Sequence, residues 1–126
     1  MKVTPVGYFR ELRHGMSNGP SLRGAVAKGE YTADKTTLLA YLRAGLVYVA
    51  SPGVGTDVLD ETGKKISGQI HALTDGRWMW PADLAYYVET YDVALPDQFL
   101  LDLRRHEWRH PEVSEIDVRQ IEVQMP

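Results

Sequence analysis

The sharpest chemical pattern in the 126-residue chain is His106-Glu107-Trp108-Arg109-His110, which satisfies H-E-x-x-H. On a helix, positions i and i+4 place two imidazoles on one side, where they can hold zinc, and the intervening glutamate can activate a metal-bound water. That is the donor set of a zinc-dependent hydrolase, carried by five residues. It implies zinc as cofactor, His106 and His110 as ligands and Glu107 as base. A third ligand has to come from Glu112, Glu115, Asp117, Glu122, His14 or His71. The surroundings are unlike a buried catalytic helix. Arg104, Arg105 and Arg109 crowd the motif and Pro111 follows it. A charged helix end, with cations complementing the dipole, is the competing reading.

Three other groupings carry chemistry. Residues 81–105 read as two helices with a short connector, and Arg104, Arg105 and Arg109 could meet phosphate as in a helix-turn-helix. Asp97 and Asp102 on the second helix, with a formal net charge of -3, oppose nucleic acid and favour an ordinary helical hairpin. Trp78, Trp80, Tyr86, Tyr87 and Tyr91 form an aromatic group of the kind enriched in interface hot spots, and also of the kind that fills cores. Tyr86 and Tyr87 cannot both face inward, and Tyr87 joins the apolar stripe, so Tyr86 is the exposed one. Arg10, Arg13 and His14 are suited to a carboxylate, a phosphate or an acidic protein surface. The segment SPGVG (51–55) lacks the residues of a phosphate-binding loop, Ser51 lacks a nucleophile elbow, and His71 reads as structural or solvent-facing.

These groups need elements to position them. The apolar fraction of 44% and charged fraction of 25% are those of a globular domain, and the length suits one domain, 1–126. There is no cysteine, which excludes disulfides, thiolate zinc sites and a thiol nucleophile. With no secretory signal pattern and no apolar run of membrane-spanning length, the expected location is cytoplasmic. Residues 1–30 carry Lys2, Arg10, Arg13, Arg23 and Lys28 against Glu11 and Glu30, a net of +3, so the remainder is -6. That asymmetry suits an acidic partner, or attraction between the two parts.

Apolar spacing predicts helices over 5–14, 21–28 (capped by Ser21), 33–43 (capped by Thr32), 81–91 from Pro81, and 96–108 from Pro96 until Pro111. Alternation and β-rich composition predict strands at 46–50, 56–60, 66–73, 77–80 and 118–125. Asp75-Gly76 marks a hairpin, and period 2 puts Trp78 and Trp80 on one face. The segregation of strands from helices gives an α+β class, with an antiparallel meander of three or four strands packed by helices. An edge strand at 56–60 would permit a homodimer.

Two stretches, YFRELRHG…GPSL and LTDGRWMWPADLAYYVETYDVALPDQF, resemble a family of small, uncharacterised bacterial proteins over about half of the chain. The resemblance implies a bacterial, self-contained domain without an assigned activity. By size and class, small acidic α+β proteins are also a format for immunity proteins and toxin inhibitors. The sequence is therefore read as a non-catalytic interaction protein that binds another protein, without cofactor. Its expected surface is Trp78, Trp80, Asp83 and Tyr86, with Arg10 and Arg13 as a second patch. The alternatives are the zinc hydrolase, and a small-molecule binder or enzyme with a pocket between the sheet and the 81–105 helices.

Overall fold

The computed structural model describes residues 1–31, 34–51 and 53–124. It is a mixed α+β structure: a five-stranded sheet in the order β2-β5-β6-β1-β7, a separate two-stranded sheet β3-β4, and four helices. The strands are β1 (Lys2–Pro5), β2 (Leu46–Val49), β3 (Val54–Thr56), β4 (Lys65–Gln69), β5 (Ala72–Thr74), β6 (Trp78–Pro81) and β7 (Glu122–Val123). The helices are α1 (Leu22–Ala25), α2 (Lys35–Arg43), α3 (Leu84–Tyr91) and α4 (Asp97–Arg105).

The larger sheet is mixed rather than an antiparallel meander. Strand β5 runs antiparallel to both β2 and β6, but β1 enters between β6 and β7 and is parallel to both. The expected helix over 5–14 is replaced by β1 and a series of turns. Gly7 sits at φ +80°, which a helix cannot use, and a side chain there would run into Leu84. Val3, Val6, Phe9 and Leu12 are buried along this irregular path. Phe9 and Leu12 of the expected helix are thus buried, but on backbone that is not helical.

The hairpin at Asp75-Gly76 forms as expected, with Gly76 at φ +87°. Asp75 Oδ1 accepts from the N–H groups of Arg77 and Trp78, which fixes the turn. The strand expected over 66–73 splits in two. Residues up to Gln69 pair with β3, and those from Ala72 pair with β2 and β6. The edge strand expected at 56–60 lies earlier, at β3, and Asp57–Asp60 form a turn closed by Asp60 N–H to the Asp57 carbonyl. Pro81 ends β6 rather than starting a helix, and α3 begins after Asp83. The C-terminal strand shortens to β7, preceded by a single 3-10 turn at Val118–Gln120.

Helix α1 keeps its Ser21 cap, whose hydroxyl accepts from Gly24 N–H at 3.1 Å, but it is only one turn long. For α2 the expected Thr32 cap lies outside the described residues, as does Pro52 of the 51–55 loop. Helix α4 stops at Arg105, short of the expected Trp108. Glu107 and Trp108 both take left-handed backbone, at φ +55° and +59°. That turn swings Trp108 back against the core, where Phe99, Leu100 and Leu103 of α4 are also buried.

The main core lies between one face of the sheet and α2, α3 and α4, with Trp80, Tyr87, Phe99, Leu38 and Leu42 fully buried. A smaller cluster of Val3, Met79 and Ile121 covers the other face beneath the 113–121 segment. No helix among the described residues is long and apolar enough to cross a membrane.

Candidate functional site

The aromatic residues singled out from the sequence do not form one surface. Trp78 and Trp80 do share a face of β6, but that face points into the core, and both rings meet Phe99 edge-on at 5.2 and 6.0 Å. Trp80 is fully buried and donates its indole N–H to the Leu42 carbonyl at 2.9 Å. It cannot contact a partner. Asp83 is 4% exposed. Its carboxylate faces His14, whose Nε2 lies 3.2 Å from Oδ1 and 3.0 Å from Oδ2. Only the Oδ1 contact has hydrogen-bond alignment, so Oδ2 is left without one.

Tyr86 is half-buried rather than free. Its hydroxyl and that of Tyr91 each donate to Asp57 Oδ2 at 2.6 Å, while Leu59 N–H donates to Oδ1 at 2.8 Å. Tyr87, between them on α3, bonds through its hydroxyl to Val58 N–H and the Thr56 carbonyl. Three tyrosines of one helix thus clasp the turn that follows β3. The hydrogen bond to Asp57, which only the protonated phenol can donate, raises Tyr86 and Tyr91 above their ordinary pKa, with desolvation and the nearby carboxylate charge adding to it.

The residues of the H-E-x-x-H pattern are held apart in role. Because α4 ends at Arg105, His106 and His110 are not one helical turn apart on a common face. His106 Nδ1 meets the Asp102 carbonyl at 2.8 Å. His110 stacks on the Tyr41 ring at 3.9 Å and its Nε2 meets the Tyr41 carbonyl at 2.9 Å. Glu107 is exposed, its nearest cation being Arg109 at 3.5 Å. The helix that would aim two imidazoles at one metal is absent from this stretch. His71 lies between β4 and β5, and its Nδ1 accepts from Ser51 N–H at 2.8 Å, so it has a structural contact.

Asp102 has a positioning role that the sequence did not suggest. It accepts from the Trp78 indole N–H at 2.9 Å and from Arg77 Nε at 3.0 Å. Burial works against its charge, but these two donors outweigh it and lower its pKa. With Asp75, which accepts from Tyr41 at 2.6 Å, they lock the β5-β6 hairpin to α2 and α4.

Among the cavities of the described residues, one of about 680 Å3 is mainly apolar. Its walls are the end of β1 with the turns after it (Thr4–Phe9), the Met16–Ser21 turn, one side of α1, and the Ala94–Pro96 connector; Trp78 adds an indole. Phe9, Met16, Leu95 and Pro96 make the lining mainly apolar, and its volume is that of a small-molecule site. The wall is held by backbone bonds that loop over one another: Arg10 N–H to the Pro20 carbonyl at 3.0 Å, and Met16 N–H to the Tyr8 carbonyl at 3.2 Å. Gly15 and Gly19 allow this close approach, since a side chain at either would strike the Phe9 or Tyr8 carbonyl. Glu11 pins the wall to α1 by accepting from Ser21 Oγ, Leu22 N–H and Arg23 N–H at 2.8–3.0 Å. Desolvation opposes its charge, yet the donors together outweigh it and hold its pKa down at about 2. His14, in the same segment, ties the wall to Asp83 just before α3. Tyr8 also lines the cavity; its hydroxyl is buried without a partner, and burial followed by the nearby Asp83 charge pushes its pKa well up.

Sequence reasoning singled out Trp78, which lines this cavity, but expected a pocket between the sheet and the 81–105 helices; of those helices' segment only the Ala94–Pro96 connector reaches this one. Arg10 and Arg13 are exposed, as expected, within its wall segment. The glycines at 15 and 19 were the available signal. No protein-family model, curated protein or solved structure matches the chain.

Proposed function

We propose that this is a non-catalytic binding protein that takes a small, largely apolar ligand in the cavity between the Thr4–Ser21 segment, α1, Trp78 and the Ala94–Pro96 connector. The observation that carries the reading is the cavity: about 680 Å3, mainly apolar, with its wall braced by Glu11 and by His14. A pocket held open by hydrogen bonds needs little reordering on binding, which favours affinity. The test is a two-dimensional amide NMR titration with 4-phenyl-1-butanol, a neutral probe with an aromatic end. Binding in the pocket shifts the Trp78 indole N–H and the amides of Phe9, Met16 and Ala94. Saturating probe that leaves those signals in place sinks the reading.

A protein partner, of the inhibitor or immunity type in the bacterial cytoplasm, is the second reading. It is favoured by β2, an edge strand of the larger sheet whose Val47 and Val49 are 44% and 52% exposed. Such an edge can accept a strand from another chain or from a second copy. Light scattering across a concentration series, with and without Val49→Lys, checks the homodimer: a dimer that the lysine dissociates supports it.

A further inference from the structure

We infer that the Arg13–Gly19 turn is a gate over the cavity, latched shut by His14 on the buried carboxylate of Asp83. The inference rests on the pocket reading above and adds to it the way a ligand enters.

Little holds the turn in place. Leu12 before it and Leu22 after it are core residues, but no residue from Arg13 to Pro20 is buried. Met16, its one large apolar residue, belongs to neither core cluster; it lines the cavity with Asn18 and Gly19. The backbone bonds of the turn close on the adjoining chain: Gly15 N–H to the Leu12 carbonyl, Met16 N–H to the Tyr8 carbonyl and Gly19 N–H to the Met16 carbonyl. Among the described residues, the only hydrogen bond from the turn to a distant part of the fold is that of His14 with Asp83.

The two ends of that contact differ. The Asp83 side chain is 2% exposed and is fixed just before α3, whereas the His14 side chain is 20% exposed. Losing the imidazole leaves a buried carboxylate short of a partner, which favours the closed turn. Segments with few buried contacts open at low free energy, and lids are drawn from them. This turn can swing out while Phe9, Leu12 and Leu22 stay packed, and its departure uncovers the cavity along Met16–Gly19.

The experiment is amide hydrogen exchange by NMR on the full chain, with association and dissociation rates of 4-phenyl-1-butanol taken from NMR line shapes. His14→Ala/Asp83→Asn removes the latch without leaving a buried charge unpaired. In it the amides of Gly15, Met16 and Gly19 should exchange about tenfold faster while those of β5 and β6 are unchanged. Both probe rates should rise by one factor, with the affinity kept within about twofold. His14→Gln, which keeps an N–H donor at the reach of Nε2, should restore wild-type behaviour. Exchange that rises uniformly, a double variant that loses its fold, or probe rates that ignore a locally opened turn each overturn the gate and leave the pocket standing. Absence of probe binding in every form removes the pocket reading and the gate together.

Discussion

Removing the hydroxyls of Tyr86 and Tyr91 should release the two-stranded sheet without unfolding the rest. Asp57 is 1% exposed, and Tyr86 and Tyr91 supply two of the three donors seen on its carboxylate. A hydrogen bond to a charged group contributes about 1.5–3 kcal/mol. Both tyrosines are half-exposed, so water can replace part of what a substitution removes, and the lower end applies. Tyr91→Phe alone should therefore cost about 1.5 kcal/mol, or about 5 °C in Tm for a chain of this size. In Tyr86→Phe/Tyr91→Phe the carboxylate keeps only the Leu59 amide, so the cost should exceed the sum of the single effects and reach about 4 kcal/mol. Urea and thermal melts of the four members of the cycle measure this. Hydrogen exchange locates it: amides of β3 and β4 should lose protection well before those of β5 and β6. Tyr87→Phe is the internal comparison, since its two contacts are longer, at 3.2 Å, and reach neutral groups. A double variant that costs under about 1 kcal/mol, or exchange that rises uniformly, refutes the clasp.

Three further outcomes follow from the burial and hydrogen bonds of single residues. Trp80→Ala empties a fully buried site and should cost about 3–5 kcal/mol, whereas Trp78→Ala, at a half-buried cavity wall, should cost clearly less and stay folded; denaturant melts compare them. Glu11 has a folded-state pKa of about 2 against an ordinary 4.5, so its stabilisation is complete above about pH 5 and is lost as pH falls towards 2; Glu11→Gln should flatten that part of the Tm-pH curve, and an unchanged acid limb would count against the brace. Zinc should not raise the Tm, since the stretch from His106 to His110 is not helical; a rise of several degrees that disappears in His106→Ala would reinstate the metal reading.

The parts of this fold that sequence pattern anticipates are those decided locally. The Asp75-Gly76 hairpin needs only a glycine at positive φ and a carboxylate that collects two nearby amides. The Ser21 cap needs only a hydroxyl three residues before Gly24. Parallel pairing of β1 with β6 and β7 joins residues more than 70 apart and leaves no periodic trace in either partner. The apolar spacing over 5–14 therefore resembled a helix face, although the residues after Pro5 sit on turns. The end of α4 was hidden for another reason. Left-handed backbone is usually announced by glycine or asparagine, and here Glu107 and Trp108 adopt it instead. Burial of the Trp108 ring against the core offsets the local strain, and only the tertiary structure displays that gain.

The same contrast governs the candidate site. Trp78 was legible as an aromatic of interest, but its orientation depends on Asp102, 24 residues away. Arg10 and Arg13 were legible as a basic pair, yet their lack of counter-charge depends on what Glu11 does. Read along the chain, Glu11 lies between the two arginines and looks like their natural partner. In the fold its carboxylate turns instead to the open N-terminus of a one-turn helix, where three donors converge. A short helix with unsatisfied amides thereby takes the only acid among residues 1–29. The wall of the pocket is thus anchored by the way α1 is capped, and Glu11→Gln should loosen it.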